Sequence, residues 1–493
     1  MNRRTAPRSV WDERAAVPAL RELAAQAFSR AAGAPLIDGN RVRILKDAGE
    51  NYPAWLDAIR AAKRHVHFEN YFIREDDIGR EFADALIAKA GDGVKVRLIY
   101  DWLGNFGKAS RGFWARLRSA GVDVRCYNPP QLDSPLGWLS RDHRKMVEVD
   151  GEAAFISGLC VASTWIGDPS RKIEPWRDTG VEIRGPAVAE IARSFARAWA
   201  SMGSPLPEDE YAIQAQGAGE ASLRIVATEP ATAGMLRLDQ LVAALARKRL
   251  WLTDAYYAGT SSYVQALRAA AQDGVDVRLL VPNATDIPLL RPLSRTGYRP
   301  LLEAGVRVFE WNGTMLHAKT AVMDGHWARV GSTNLNIASW LGNRELDAVV
   351  EDRPFAQAME NLYEQDLGNA TEVVLDEKRR MRAPGEPPHP RAQSASGGGS
   401  ASRAAAGAMR FGRTIGAALT NRRVLEPIEA RLALGMGAAL ILLALLFAAF
   451  PHALAYPLIA LAVWAGAALL VRGYRLRRDR ARPPVDRRDP GSQ

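Results

Sequence analysis

The chain has 493 residues, 47% of them hydrophobic, a formal net charge of +10 and two cysteines. That length holds two or three domains with sizeable cores, and Cys126 and Cys160, with no clustered histidines beside them, argue against a disulfide framework or a zinc site. The charge is localised: from Arg403 onward there are 14 Arg, no Lys and five acidic residues, a balance of +9, so the first 402 residues carry about +1 and no nucleic-acid partner is expected for the body.

Residues 1–38 read as an N-terminal helical extension. They are mixed in charge and lack an apolar run before a small-residue cleavage site, so no secretory leader is expected. Residues 15–32 have amphipathic helical spacing, and the expectation is a helix packed on the first domain rather than on a membrane. RVRIL at 41–45 alternates as a strand, 51–63 has helical spacing, and HVHFENYFI at 65–73 is β-rich and aromatic. Residues 78–93 predict a helix closed by Gly91 and Gly93, followed by strands at 94–102, 122–127 and 143–150, which gives a first α/β domain over 39–215.

The second domain, 216–375, repeats this grammar. GVDVRLLV at 274–281 answers GVKVRLIY at 93–100, and AGVRVFEW at 304–311 answers AGVDVRCY at 120–127. The offsets, 181 and 184, are close to constant, as a duplication requires. PPQLDSPLGWLSR at 129–141 is an extra Pro-rich loop of the first copy, read as an ordinary loop with a lip for lipid access as its alternative.

Residues 376–425 form a linker rich in Pro, Ser, Gly and Ala, expected to be disordered. Residues 432–450 and 453–471 are two uncharged runs of 19, parted by Pro451 and His452, and each is long enough for the roughly 30 Å hydrocarbon layer. Within 426–478 they predict a transmembrane helical hairpin. Arg422, Arg423 and Arg431 before it, Arg472 to Arg478 after it and a basic tail at 479–493 place both ends in the cytoplasm by the positive-inside rule.

Each half carries a histidine two residues before a lysine and seven before an aspartate: His143, Lys145 and Asp150, then His317, Lys319 and Asp324. In extended chain, residues i and i+2 face one side, so imidazole and ammonium address one site together. That pair suits a phosphate: the imidazole attacks phosphorus or moves a proton and the lysine offsets charge on the non-bridging oxygens. Ser332 and Asn334 of the Gly331-Ser332-Thr333-Asn334 turn are candidate phosphate ligands. A cation beside each imidazole opposes metal binding, so neither metal nor cofactor is expected.

Two H-x-K-x4-D motifs, the second followed by G-S-x-N, resemble the phospholipase D superfamily, and HFENYF at 67–72 narrows the resemblance to bacterial cardiolipin synthases. It runs from about Gly39 to about Leu375 and implies two duplicated α/β/α sandwich domains packed face to face, with both motifs at their interface. It implies a phosphatidyltransferase making cardiolipin and glycerol from two phosphatidylglycerols, with phosphatidylethanolamine as another candidate donor, at the bacterial inner membrane with the catalytic domains on the cytoplasmic side. His143 would form a phosphohistidine and His317 would move the protons. Asp150 and Asp324 complete the motifs and are expected to fix local structure. Asp178 and Glu345, before the closing strand of each half, would orient the histidines. The first copy departs at Ser157-Gly158-Leu159-Cys160, where Cys160 stands for the asparagine and Ser157 is the remaining candidate phosphate ligand. The alternatives are a phospholipase D, phosphodiesterase or nuclease that uses water as acceptor, and a membrane-tethered lipid-binding protein with a decayed site.

Overall fold

A computed structural model describes residues 18–130, 140–213, 216–287, 294–375 and several stretches between 438 and 470. The chain divides into two compact units, Met1–Tyr127 with Arg141–Asn421, and Asn128–Ser140 with Arg422–Gln493. Among the described residues the first unit holds fifteen strands. They are β1 (Ile37–Lys46), β2 (His65–Asn70), β3 (Lys95–Asp101), β4 (Asp123–Tyr127), β5 (Lys145–Val149), β6 (Ala153–Ser157) and β7 (Thr179–Arg184), then β8 (Ala221–Thr228), β9 (Arg249–Thr253), β10 (Asp276–Ala284), β11 (Arg307–Met315), β12 (Thr320–Met323), β13 (Trp327–Gly331), β14 (Glu345–Glu351) and β15 (Ala370–Val373).

The sheet order is 15-11-10-9-12-13-14-8-1-7-6-5-2-3-4. Read outward from the centre, each half has one pattern: 1-7-6-5-2-3-4 in the first and 8-14-13-12-9-10-11 in the second. The halves join where β1 pairs antiparallel with β8, at Ile37 with Leu223 and Asn40 with Ala221. The two halves pack face to face as expected, and the pairing of β1 with β8 also joins their strands into one continuous sheet. A shared core also spans them, with Met146, Ile156 and Val181 of the first half clustered with Val322, Val330 and Leu346 of the second. β5 and β6 are buried along their whole length, Lys145 and Glu148 of β5 included, and β6 accordingly reads as an apolar run without alternation.

Local chemistry sets the element ends. The helix expected at 51–63 starts at Asp47, because the Glu50 carboxylate accepts the Lys46 N–H at 2.8 Å and caps the turn. Asp76 caps the helix Asp77–Gly91 by accepting from Gly79. The strand expected at 65–73 closes at Asn70, and Tyr71 leaves the sheet.

The N-terminal helix, Pro18–Ala32, packs on the second half and not on the first: Phe28 and Ala32 are buried with Met235, Leu238 and Val242. Because β1 lies beside β8, the chain leading into β1 arrives at the helical layer of the second half. In the other unit, residues 441–449 are helical, and Ile441, Leu442, Leu445 and Phe450 are exposed. Among the described residues no helix is long and apolar enough to cross a membrane. The hairpin expected at 432–450 and 453–471 is only partly within those residues, while the linker at 376–425, the tail at 479–493 and most of the 129–141 loop lie outside them.

Candidate active site

The two motif segments reach the site by crossing between halves. His143 N donates to Arg344 O at 2.9 Å, and His317 N donates to Arg177 O at 2.7 Å. Each motif thus runs beside the segment that precedes the other half's closing strand. Arg177 is fixed there by two bonds to Asp366, at 2.8 and 2.9 Å, on the helix Arg353–Leu367.

This crossing sets the carboxylate partners. His143 Nδ1 lies 2.9 Å from Glu345 Oε2, and His317 Nδ1 lies 2.8 Å from Asp178 Oδ2. An ionised carboxylate only accepts, so Nδ1 carries the proton in both rings and each Nε2 keeps its lone pair for chemistry. Glu345 is held by the Ser332 hydroxyl at 2.6 Å and the Asn343 amide at 3.2 Å, whereas Asp178 receives the Trp165 indole N–H at 3.0 Å. Gly158, opposite Ser332 in the repeat, has a reason to be glycine: a Cβ there would stand 2.3 Å from Asp178 Oδ1.

The lysines lie on the same side as their histidines, as the spacing predicts. Lys319 Nζ is 2.9 and 3.0 Å from the two ring nitrogens of His317, and both lysines bond the carbonyl oxygen of their own histidine. Burial lowers the pKa of His143 against the pull of Glu345, and burial with Lys319 takes His317 down to about 4. Each lysine also depresses the histidine of the opposite motif, so the two motifs face one site. Burial lowers Lys145, and together with the like charge of Lys145 it brings Lys319 to about 8. Burial pushes the Asp178 and Glu345 carboxyls up, but their histidines, lysines and hydrogen-bond donors outweigh it and hold both below the usual range.

Asp150 and Asp324 are separate from this chemistry. Five residues of extended chain put Asp150 about 16 Å along β5 from Lys145. Its carboxylate accepts the backbone N–H groups of Lys63, Arg64 and His65, each at 2.8 Å, and Asp324 does the same for Arg247, Lys248 and Arg249 at 2.8 to 2.9 Å. Both adopt positive φ, 56° and 53°, where aspartate is better tolerated than most residues. Grouping them with the catalytic histidines is therefore corrected: they lock turns, as their expected structural role requires.

The hydroxyls expected to line the phosphate cradle are engaged elsewhere, Ser332 on Glu345 and Ser157 as acceptor for Leu159 N at 3.1 Å. Asn334 is different. Its Oδ1 is buried with no hydrogen-bond partner among the described residues. Cys160, at the corresponding place, is also buried, and Lys145 and Lys319 act on its thiol against the burial that raises its pKa.

Sequence reasoning missed the aromatic walls. The Tyr71 ring lies 5.0 Å from that of His143 with Lys145 5.1 Å over it, and Tyr256 lies 5.7 Å from His317 with Lys319 5.7 Å over it. Trp165 and Trp176 flank His317 at 5.3 and 5.8 Å. A tyrosine shortly after β2 and another after β9 was the available signal. Among the described residues one group has metal-ligand chemistry, His65, His67 and Glu148, toward the other end of β2 and β5. Glu148 lies 3.1 Å from His65 Nε2 and 2.6 Å from His67 Nδ1 and accepts from Gly151 N at 2.6 Å, and these contacts account for it as a buried polar network.

A family model described as "Cardiolipin synthase, PLD-like domain" matches residues 55–199 and 242–367, one match over each half of the repeat. The chain belongs to this cardiolipin synthase family of the phospholipase D superfamily. It is 32% identical over 367 residues to cardiolipin synthase A of Pseudomonas aeruginosa, covering 72% of this chain and 73% of that protein. It is 30% identical over 345 residues to the cardiolipin synthase of Alkalihalophilus pseudofirmus, covering 69% and 68%. The crystal structure of phosphatidylserine synthase from Haemophilus influenzae Rd KW20 shares the fold, with a TM-score of 0.52 at 14% identity over 71% of this chain and 91% of that one.

Proposed function

We propose that this enzyme is a phosphatidyltransferase that joins two phosphatidylglycerols into cardiolipin and releases glycerol, through a phosphohistidine on His143. The observation that carries the reading is the crosswise pair of neutral imidazoles, each held by a carboxylate of the other half and each acted on by the lysines of both motifs. The Nε2 lone pair of His143 attacks phosphorus, the bond to the glycerol oxygen breaks, and His317 gives that oxygen a proton. The hydroxyl of the second lipid then loses its proton to His317, and its oxygen attacks phosphorus and frees His143. A bound phosphodiester anion offsets the lysine charges that depress His317 and raises it toward the range in which it delivers a proton. Lys145 and Lys319 stabilise the charge that builds on the phosphoryl oxygens. The same step accommodates phosphatidylethanolamine as a donor, with ethanolamine leaving.

In this proposal the runs at 432–450 and 453–471 form a hairpin in the bacterial inner membrane, with both catalytic halves in the cytoplasm; their length, lack of charge and flanking arginines support it. The test is full-length protein in mixed micelles with phosphatidylglycerol alone and a chelator. Cardiolipin with an equal amount of glycerol is expected. Phosphatidic acid as the sole product would make the enzyme a hydrolase. For the anchor, a chain ending at residue 375 is expected to be released by carbonate, and one that stays bound would place the anchor elsewhere.

A further inference from the structure

Exposed large apolar side chains are ordinary when scattered, so their distribution is the informative quantity. Among the described residues of the unit that carries the site there are eight, and seven lie in four loops at the end of the sheet that bears His143 and His317. Leu103 and Phe106 follow β3, Ile287 follows β10, Ile166 and Ile173 lie between β6 and β7, and Ile337 and Leu341 lie between β13 and β14. The exception is Val374, just beyond β15.

The four loops are two pairs related by the repeat. β3 and β10 occupy the same place in their halves, as do the β6–β7 and β13–β14 connections. Phe106 and Ile287 are 181 residues apart, the offset that relates the glycine-led strands before them, so both copies expose an apolar residue at the equivalent position, 69% and 46% accessible. These loops also hold the site. The β6–β7 connection carries Trp165, Trp176 and Asp178, and the β13–β14 connection carries Ser332 and Asn334.

We propose that these four loops form an apolar rim that docks the mouth of the site onto the phospholipid bilayer, seating both halves in the interface while the phosphodiester is drawn between the histidines. This rests on the lipid reading above and deepens it. Both substrates have acyl chains in hydrocarbon and a phosphate at headgroup depth, and a site ringed by apolar residues can stay against the surface through two successive lipid-binding events. A rim drawn equally from both halves suits a reaction that takes one lipid after another at one site.

The test uses full-length protein in phosphatidylglycerol vesicles and the double variant Phe106→Ser/Ile287→Ser. We expect kcat/KM on vesicles to fall about tenfold, with turnover of monomeric short-chain phosphatidylglycerol within about twofold of the parent protein and Val374→Ser unchanged on both. Equal vesicle rates would overturn the rim, and so would equal losses on vesicles and monomers, which would mark a structural role. A polarity-sensitive dye on Phe106→Cys, in a Cys126→Ser background, reads insertion independently of product. A blue shift on vesicles supports the proposal and water-like emission overturns it. If the dye shifts while the parent protein forms no cardiolipin, the transferase reading fails and the rim stands.

Discussion

Replacing Glu345 by Gln removes a buried charge at the loss of one long contact, the Asn343 amide that donates to Oε1 at 3.2 Å. The glutamine amide keeps the shape of the carboxylate, and its oxygen can take the Oε2 position, where it still accepts from His143 Nδ1 and from the Ser332 hydroxyl. The negative charge behind His143 is lost. As phosphorus transfers to Nε2 the imidazole becomes cationic, and a buried, fixed carboxylate at 2.9 Å stabilises that charge only as it develops. We expect kcat to fall by about 10² to 10³, on the order of 3 to 4 kcal/mol of barrier. The direction of the pH effect follows from the same contact. Glu345 raises the pKa of His143 against burial, so removing its charge lowers that pKa further. His143 must be neutral to attack, so the acid limb of kcat/KM should move to lower pH. Cardiolipin formation in mixed micelles between about pH 4 and 9 measures both. A kcat within threefold of the parent, or an acid limb displaced upward, would refute the positioning of His143 by Glu345, and Asp178→Asn gives the matching test for His317.

His143→Ala and His317→Ala should each abolish turnover with the fold retained, and 32P from labelled donor should be trapped on His317→Asn but not on His143→Asn; the reverse would exchange their roles. Lys319 must stay charged to hold the phosphoryl oxygens and titrates at about 8, so kcat/KM should decline as pH rises through about 8, and a rate flat to pH 10 would exclude that role. Lys319→Arg, where it retains activity, should lack this alkaline limb because a guanidinium stays protonated. Asp150→Ala strands three backbone N–H groups at a positive-φ turn and should cost about 3 kcal/mol in urea denaturation while kcat stays within several-fold of the parent.

The amino-acid sequence by itself determined what short spacing encodes. His and Lys two apart in extended chain must share a side, alternating and apolar runs must form strands, and a repeat with near-constant offset must fold twice. Asp178 and Glu345 are marked by the family resemblance and not by spacing, which alone would make either a surface charge. What the sequence could not contain is the exchange between halves. Glu345 pairs with a histidine 202 residues away because Arg344 lies beside His143, a contact made only once β14 and β5 are in place. Likewise the N-terminal helix joined the second half because β1 pairs with β8, and Asp150 left the site because the five residues before it run down β5. Spacing along the chain fixes neighbours within a few residues, where backbone geometry is local. Contacts between a duplicated domain and its copy depend on how two sheets meet, and only the burial of the shared core around Val181 and Val330 decides that.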